Sequence, residues 1–159
     1  MGKTDEGMPV NGPVMTLETA IAKRLNTLRE DGSQDEEVLA GLAEIPRESF
    51  VADPVVTRAW ENVALPISKG QTISQPYIVA LMTRALELND RRKVLEVGTG
   101  SGYQAAILAQ LARRAYTLER HNPPVRETDE TFRDLGGDIL STLNPEGGHG
   151  GVGSGAFVG

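Results

Sequence analysis

The sequence predicts an α/β fold with a doubly wound, mostly parallel sheet, of which this chain carries the first half behind an N-terminal helical segment. Three observations predict it. Lys93 to Val97 is a short apolar run that ends at a glycine, and Gly98 to Gly102 follows as a glycine loop. Tyr103 to Ala112 is apolar nearly all round, as a helix buried against a sheet is. Arg114 to Leu118 is the next strand-like run, with Glu119 at its end. Strand, glycine loop, helix, strand, acidic residue is the opening order of such a sheet.

The elements before that unit follow from spacing and punctuation. Residues 1–15 carry Pro9, Gly12 and Pro13 and read as a disordered arm. Thr16 is a candidate N-cap, and Leu17, Ile21, Leu25 and Leu28 recur at helical spacing, which predicts a helix to about Glu30. Asp31-Gly32-Ser33 ends it. A second short helix spans Asp35 to Ala43, with Val38, Leu39 and Leu42 as its apolar face. Pro46 and Pro54 prevent a long helix between Pro46 and Ala64. Leu65 to Pro76 is loop-like. Pro76 suits a first helical turn, and Val79, Leu81, Met82, Leu86 and Leu88 predict a helix to about Leu88. After Glu119, a further helix is expected from Pro123 or Pro124 to Leu135. Asp138 to Leu143 is a weak strand candidate in a glycine-dense stretch.

Composition narrows the function. The 159 residues carry a net charge of -6, which argues against non-specific nucleic-acid binding. No cysteine is present, so disulfides, thiolate metal sites and a cysteine nucleophile are excluded. His121 and His149 are too isolated to suggest a metal site and read as surface residues. No stretch approaches the roughly 20 apolar residues of a spanning helix, and Met1 to Val14 lacks the apolar core of a secretion signal. The expectation is a cytoplasmic protein with no membrane, nucleic-acid or metal partner.

The loop Glu96-Val97-Gly98-Thr99-Gly100-Ser101-Gly102 carries the chemistry. Glycines let backbone turn tightly and approach a ligand, and the next helix presents free N–H groups. The spacing is G-x-G-x-G, not the G-x-x-G ending of a dinucleotide loop. The carboxylate of Glu96 would repel a pyrophosphate but suit a ligand bearing ammonium and sulfonium groups. A plain glycine turn is the alternative. Glu119 suits two hydrogen bonds from ribose hydroxyls; capping a helix or facing solvent is its alternative.

Several strings then make the chain resemble the protein-L-isoaspartate O-methyltransferases. They are Pro46-Arg47-Glu48-Ser49-Phe50-Val51, Trp60-Glu61-Asn62-Val63-Ala64-Leu65-Pro66-Ile67, and Gly70-Gln71-Thr72-Ile73-Ser74-Gln75-Pro76. The stretch Val94 to Ala106 and Tyr116-Thr117-Leu118-Glu119-Arg120 complete the set. The resemblance covers about residues 17–135. It implies a Rossmann-like methyltransferase fold using S-adenosyl-L-methionine as cosubstrate, without metal. It implies cofactor contacts at Glu96, Gly98, Thr99, Gly100, Ser101, Gly102 and Glu119. It implies a peptide groove lined by Leu65, Pro66, Ile67, Thr72 and Ile73, and Ser74 as the active-site serine. Capping the helix that follows is the alternative for Ser74, and both roles can hold at once. The implied partners are isoaspartyl-containing proteins and peptides, methylated on the α-carboxyl as the first step of repair. Tyr103 could touch the cofactor, while Trp60, Tyr77 and Phe132 read as core or groove packing. A methyltransferase for a small molecule or another side chain is the reading that the Gly70 to Pro76 string opposes.

The chain then divides into a 1–15 arm, a 16–75 helical and substrate-loop region, a 76–135 S-adenosylmethionine-binding half-domain and a 136–159 glycine-rich tail outside the family pattern. Asn144 to Gly159 lacks the family's Gly-Asp-Gly and Thr-Ala-Ala strings. The second reading is therefore a truncated or frameshifted, inactive family member that binds S-adenosylmethionine weakly at most.

Overall fold

The computed structural model describes residues 16–33, 35–67 and 70–118, and the backbone of two further strands at 140–143 and 156–158. Helix α1, Leu17–Glu30, starts at Thr16, whose hydroxyl accepts the Thr19 N–H at 3.2 Å. It ends as the sequence predicts: Gly32 takes φ +98°, and the N–H groups of Gly32 and Ser33 reach back to Arg29 and Leu28 carbonyls at 3.1 and 2.8 Å. This is the paired-bond C-cap that a left-handed glycine permits. Helix α2, Glu36–Glu44, is capped by the Asp35 carboxylate, which accepts the Val38 N–H at 3.2 Å. Its Val38, Leu39 and Leu42 are buried as expected.

Gly41 in α2 packs toward helix α4, Tyr103–Leu111. A methyl added at Gly41 would meet side-chain carbons of Ile107 and Leu111 at 3.7 Å, an ordinary contact. Gly41→Ala is therefore expected to stabilise the fold by about 0.5–1 kcal/mol, because glycine loses the most backbone freedom in a helix. Urea denaturation would read this as a raised midpoint at unchanged slope.

Between Ile45 and Ala64 the two prolines leave only short 3-10 turns, Arg47–Phe50 and Asp53–Arg58. Strands β1, Leu65–Pro66, and β2, Thr72–Ile73, then form an antiparallel hairpin, with Leu65 opposite Ile73 and Pro66 opposite Thr72. Helix α3 spans Pro76–Ala85, shorter than predicted. It stops because the chain turns sharply: Leu86 and Glu87 make i−3 hydrogen bonds, and Glu87 takes φ +47°. Leu86 and Leu88 are thereby swung onto a separate cluster of Val94, Leu108, Ala109, Ala112 and Ala115 instead of extending the helix face. Leu81, expected on that face, is 47% exposed.

Strands β3, Lys93–Val97, and β4, Arg114–Leu118, run parallel in the register Val94 to Ala115 and Val97 to Leu118. Consecutive burial of Val94, Leu95 and Glu96 is that of a strand covered on both faces. Strand β5, Leu140–Leu143, pairs parallel with β4. Strand β6, Ala156–Val158, pairs parallel with β3 on its other side. The sheet order is thus β5-β4-β3-β6. The weak strand candidate near 138–143 is β5, whereas nothing in the glycine-dense sequence suggested β6. The arm 1–15 and the expected helix up to Leu135 lie outside the described residues.

The main core joins the helical segment to the sheet unit. Leu28, Leu39, Leu42, Phe50, Leu65, Ile73, Val79, Tyr103 and Ile107 all belong to it. Among the described residues no helix is long and apolar enough to cross a membrane.

Candidate active site

The glycine loop leaves the carboxyl end of β3, the strand flanked by β4 on one side and β6 on the other. In open α/β sheets ligands bind where successive connections leave in opposite directions. Gly98, Gly100 and Gly102 take φ of +94°, +51° and +86°, a region that side-chain-bearing residues enter at a cost. A Cβ at Gly98 or Gly100 would meet no atom of the described residues within 4 Å. Glycine is thus required there by conformation, and among the described residues nothing fills the space a Cβ would take at either position.

The loop is pinned from below. The Gly98 and Thr99 N–H groups both donate to the Leu118 carbonyl, at 2.8 and 3.2 Å, tying it to the end of β4. The Gly102 N–H closes a turn on the Thr99 carbonyl at 2.8 Å, and Tyr103 N–H donates to the Ser101 hydroxyl at 3.3 Å. Three side chains beneath are almost fully buried: Glu96, Thr99 and Thr117. The Thr117 hydroxyl donates to Glu96 Oε2 at 2.8 Å and lies 2.6 Å from the Thr99 hydroxyl. One hydroxyl has one proton, so Thr99 must donate to Thr117, and the relay runs Thr99 to Thr117 to Glu96. Glu96 is therefore buried and tied to the loop residue Thr99 through Thr117, whereas Val97 and Gly98 are exposed.

Thr117 is the residue the sequence reading missed. Its position two before Glu119 on β4 was visible; its inward face was not. Thr117→Val keeps the shape and removes the relay, so Glu96 Oε2 and Thr99 lose this partner. The expected cost is about 1–3 kcal/mol of stability, measurable by urea denaturation; an unchanged midpoint would mean the relay contributes nothing.

The second group of sequence-predicted residues forms the hairpin. Leu65 and Ile73 point into the core, Pro66 and Thr72 are exposed, and Ile67 is half-buried with its N–H on the Gln71 carbonyl at 2.9 Å. The two alternating faces follow from the period of a strand. Ser74 follows β2 and is exposed. It is not the cap of α3: the N-cap is Gln75, which makes no side-chain cap bond. The capping acceptor comes from elsewhere, as Asn62 Oδ1 takes the Tyr77 N–H at 3.0 Å. Ser74 is thus left facing solvent beside the helix entry.

Tyr103, the first residue of α4, does not reach the loop's open side; it is buried in the core, edge-on to Phe50 at 5.5 Å. Burial pushes its hydroxyl up to about 12, with the nearby Arg47 charge acting against that rise. Trp60 is also buried, and its indole N–H donates to Glu48 Oε2 at 2.9 Å. Glu119, His121, Phe132 and His149 lie outside the described residues. Among the described residues no cluster of His, Cys, Asp or Glu could hold a metal ion.

Comparison with known proteins agrees with this geometry. The family model described as Protein-L-isoaspartate(D-aspartate) O-methyltransferase matches residues 20–155. The protein-L-isoaspartate O-methyltransferase of Rhodospirillum rubrum is 51% identical over 122 residues, covering 77% of this chain and 56% of that one. That of Paramagnetospirillum magneticum is 52% identical over 118 residues, covering 74% and 55%. The chain therefore spans about half the length of the curated relatives it matches. A solved protein-L-isoaspartate O-methyltransferase shares the fold at TM-score 0.69 and 24% identity, over 78% of this chain and 41% of that one. A putative one from Plasmodium falciparum, in complex with S-adenosyl-L-homocysteine, shares it at 0.66 and 23%, over 76% and 61%. The family match runs past residue 135, where the recognisable strings end, and so does not favour reading the remainder as foreign sequence. On the match over residues 20–155 and these relatives, the chain belongs to the protein-L-isoaspartate(D-aspartate) O-methyltransferase family.

Proposed function

We propose that this chain transfers a methyl group from S-adenosyl-L-methionine to the α-carboxyl of L-isoaspartyl residues in damaged proteins and peptides, in the cytoplasm. The observation that carries the reading is the glycine cradle at the end of β3, with glycines at positive φ and, among the described residues, no atom in the space a Cβ would take at Gly98 or Gly100. Kinship at about half identity to relatives named for this activity supports the substrate.

Gly98, Thr99, Gly100, Ser101 and Gly102 would hold the cosubstrate, Glu96 would set the loop from beneath, and Glu119 would take the ribose hydroxyls. Bound S-adenosylmethionine supplies the methyl on a sulfonium. The nucleophile is the substrate's own carboxylate, whose ordinary pKa near 3.5 leaves it ionised at neutral pH. No general base is needed. The protein's task is to align carboxylate and methyl and to exclude water. Pro66 and Thr72 offer the exposed side of the hairpin to the peptide, Ile67 its half-buried edge, and Leu65 and Ile73 hold the hairpin from the core.

Ser74 would donate a hydrogen bond that orients the carboxylate. Ser74→Ala is then expected to lower kcat/KM on an isoaspartyl peptide roughly threefold to tenfold, the worth of one such bond. The melting temperature should not move, because Ser74 is exposed. An unchanged kcat/KM would remove the serine from the site. The cofactor half is tested by calorimetric titration with S-adenosyl-L-homocysteine: one-to-one binding is expected, and no binding to folded protein would overturn it.

A further inference from the structure

Arg47 is a cation with no exposed surface, and among the described residues no carboxylate pairs with it. Burying a charge without a partner is expensive, and burial pulls this guanidinium below its ordinary pKa. What it does make is specific. Its Nε donates to the Ala59 carbonyl at 2.6 Å and its Nη2 to the Val63 carbonyl at 3.4 Å. Its guanidinium carbon lies 4.9 Å from the centre of the Tyr103 ring, within cation–π range.

These contacts tie together two parts that the proposed reaction needs in register. Ala59 and Val63 bracket the segment that carries Asn62, the residue capping α3 just after Ser74. Two residues past Val63, the hairpin begins at Leu65. On the other side, Tyr103 follows Gly102 directly and opens the helix behind the glycine loop. Arg47 Nη1 and the Tyr103 hydroxyl are both buried without a hydrogen-bond partner among the described residues, and the approach of the guanidinium to the ring is the contact that joins the pair.

We infer that Arg47 is a positioning residue that couples the substrate hairpin to the cofactor loop, with its nitrogens on the carbonyls of Ala59 and Val63 and its guanidinium within cation–π range of the Tyr103 ring. The inference rests on the proposed cofactor role of that loop. Arg suits this task better than Lys, since the guanidinium donates from two separate nitrogens while its carbon lies within cation–π range of the ring.

The test is hydrogen exchange by mass spectrometry on the full 159-residue chain, with and without S-adenosyl-L-homocysteine. In the wild type the ligand should slow exchange both in peptides covering residues 98–104 and in peptides covering 60–75, the latter by roughly 5-fold or more, the lower end of coupling between sites. In Arg47→Met the first protection should persist and the second should vanish. Arg47→Lys, which keeps charge and length and so guards against a failure to fold, should show the second at reduced strength. A merely structural arginine would alter melting temperature and both protections together. Wild-type protection confined to 98–104, or hairpin protection that survives in both variants, would overturn the inference alone. No ligand protection at 98–104 in the wild type would overturn the cofactor reading and this inference with it.

Discussion

Gly98→Val is expected to weaken S-adenosyl-L-homocysteine binding by about a hundredfold while the melting temperature falls by only a few degrees. The two effects separate for a physical reason. Gly98 holds φ +94°, where a β-branched residue is strained by about 1–3 kcal/mol. Because a Cβ there meets no atom of the described residues within 4 Å, no packing among them forces the loop to keep that shape. The variant loop can relax into a commoner backbone conformation, which spares most of the fold's stability. The relaxed loop no longer presents its backbone to the ligand, and the valine methyls enter the space the ligand would use. Strain and occlusion together exceed the 2.7 kcal/mol or so that a hundredfold change represents. Calorimetry beside thermal unfolding reads both numbers. Loss of fold together with binding would mean that Gly98 serves packing; unchanged binding would mean that the ligand lies elsewhere.

Leu42→Ala should have the largest effect on stability, a loss of about 2–5 kcal/mol. Leu42 is fully buried on α2, in the cluster it shares with Leu39, Phe50, Tyr103 and Ile107. Alanine would leave a cavity where the helical segment meets the helix behind the glycine loop. For a chain of this length each kcal/mol is worth about 2–4 °C, so the melting temperature should drop by roughly 5–20 °C. That is a large share of the 5–15 kcal/mol typical of whole domains. A shift under one degree would show that the site collapses around the smaller side chain, and that the joint between the two parts is softer than its burial implies.

Much of the fold was legible because its signals are local. Thr16, Asp35 and Gly32 mark helix ends by capping chemistry that needs no tertiary partner. The run Lys93 to Leu118 declares its strand, loop, helix and strand by composition alone. What could not be read depends on contacts far apart in sequence. The end of α3 at Ala85 is set by the second cluster drawing in Leu86 and Leu88, against a periodicity that favours continuing to residue 88. The cap of α3 comes from Asn62, fifteen residues away, not from the adjacent Ser74. Strand β6, three residues among glycines, exists through its pairing with β3 and carries no pattern of its own.

The site divides the same way. The loop glycines were readable because positive φ demands glycine. The burial of Glu96 and the hydrogen bond it accepts from Thr117 on the adjacent strand were not, since a carboxylate at a strand end can serve a ligand, a neighbour or both. The hairpin residues were readable as a group, but their division into core-facing Leu65 and Ile73 and exposed Pro66 and Thr72 needed the pairing register.

The most direct measurement is methyl transfer from labelled S-adenosyl-L-methionine to an isoaspartyl peptide, run beside the same peptide with a normal aspartyl linkage. The account predicts base-labile label on the isoaspartyl peptide and none above background on its counterpart. Label on neither peptide, from protein shown to be folded and to bind S-adenosyl-L-homocysteine, would contradict the proposed activity.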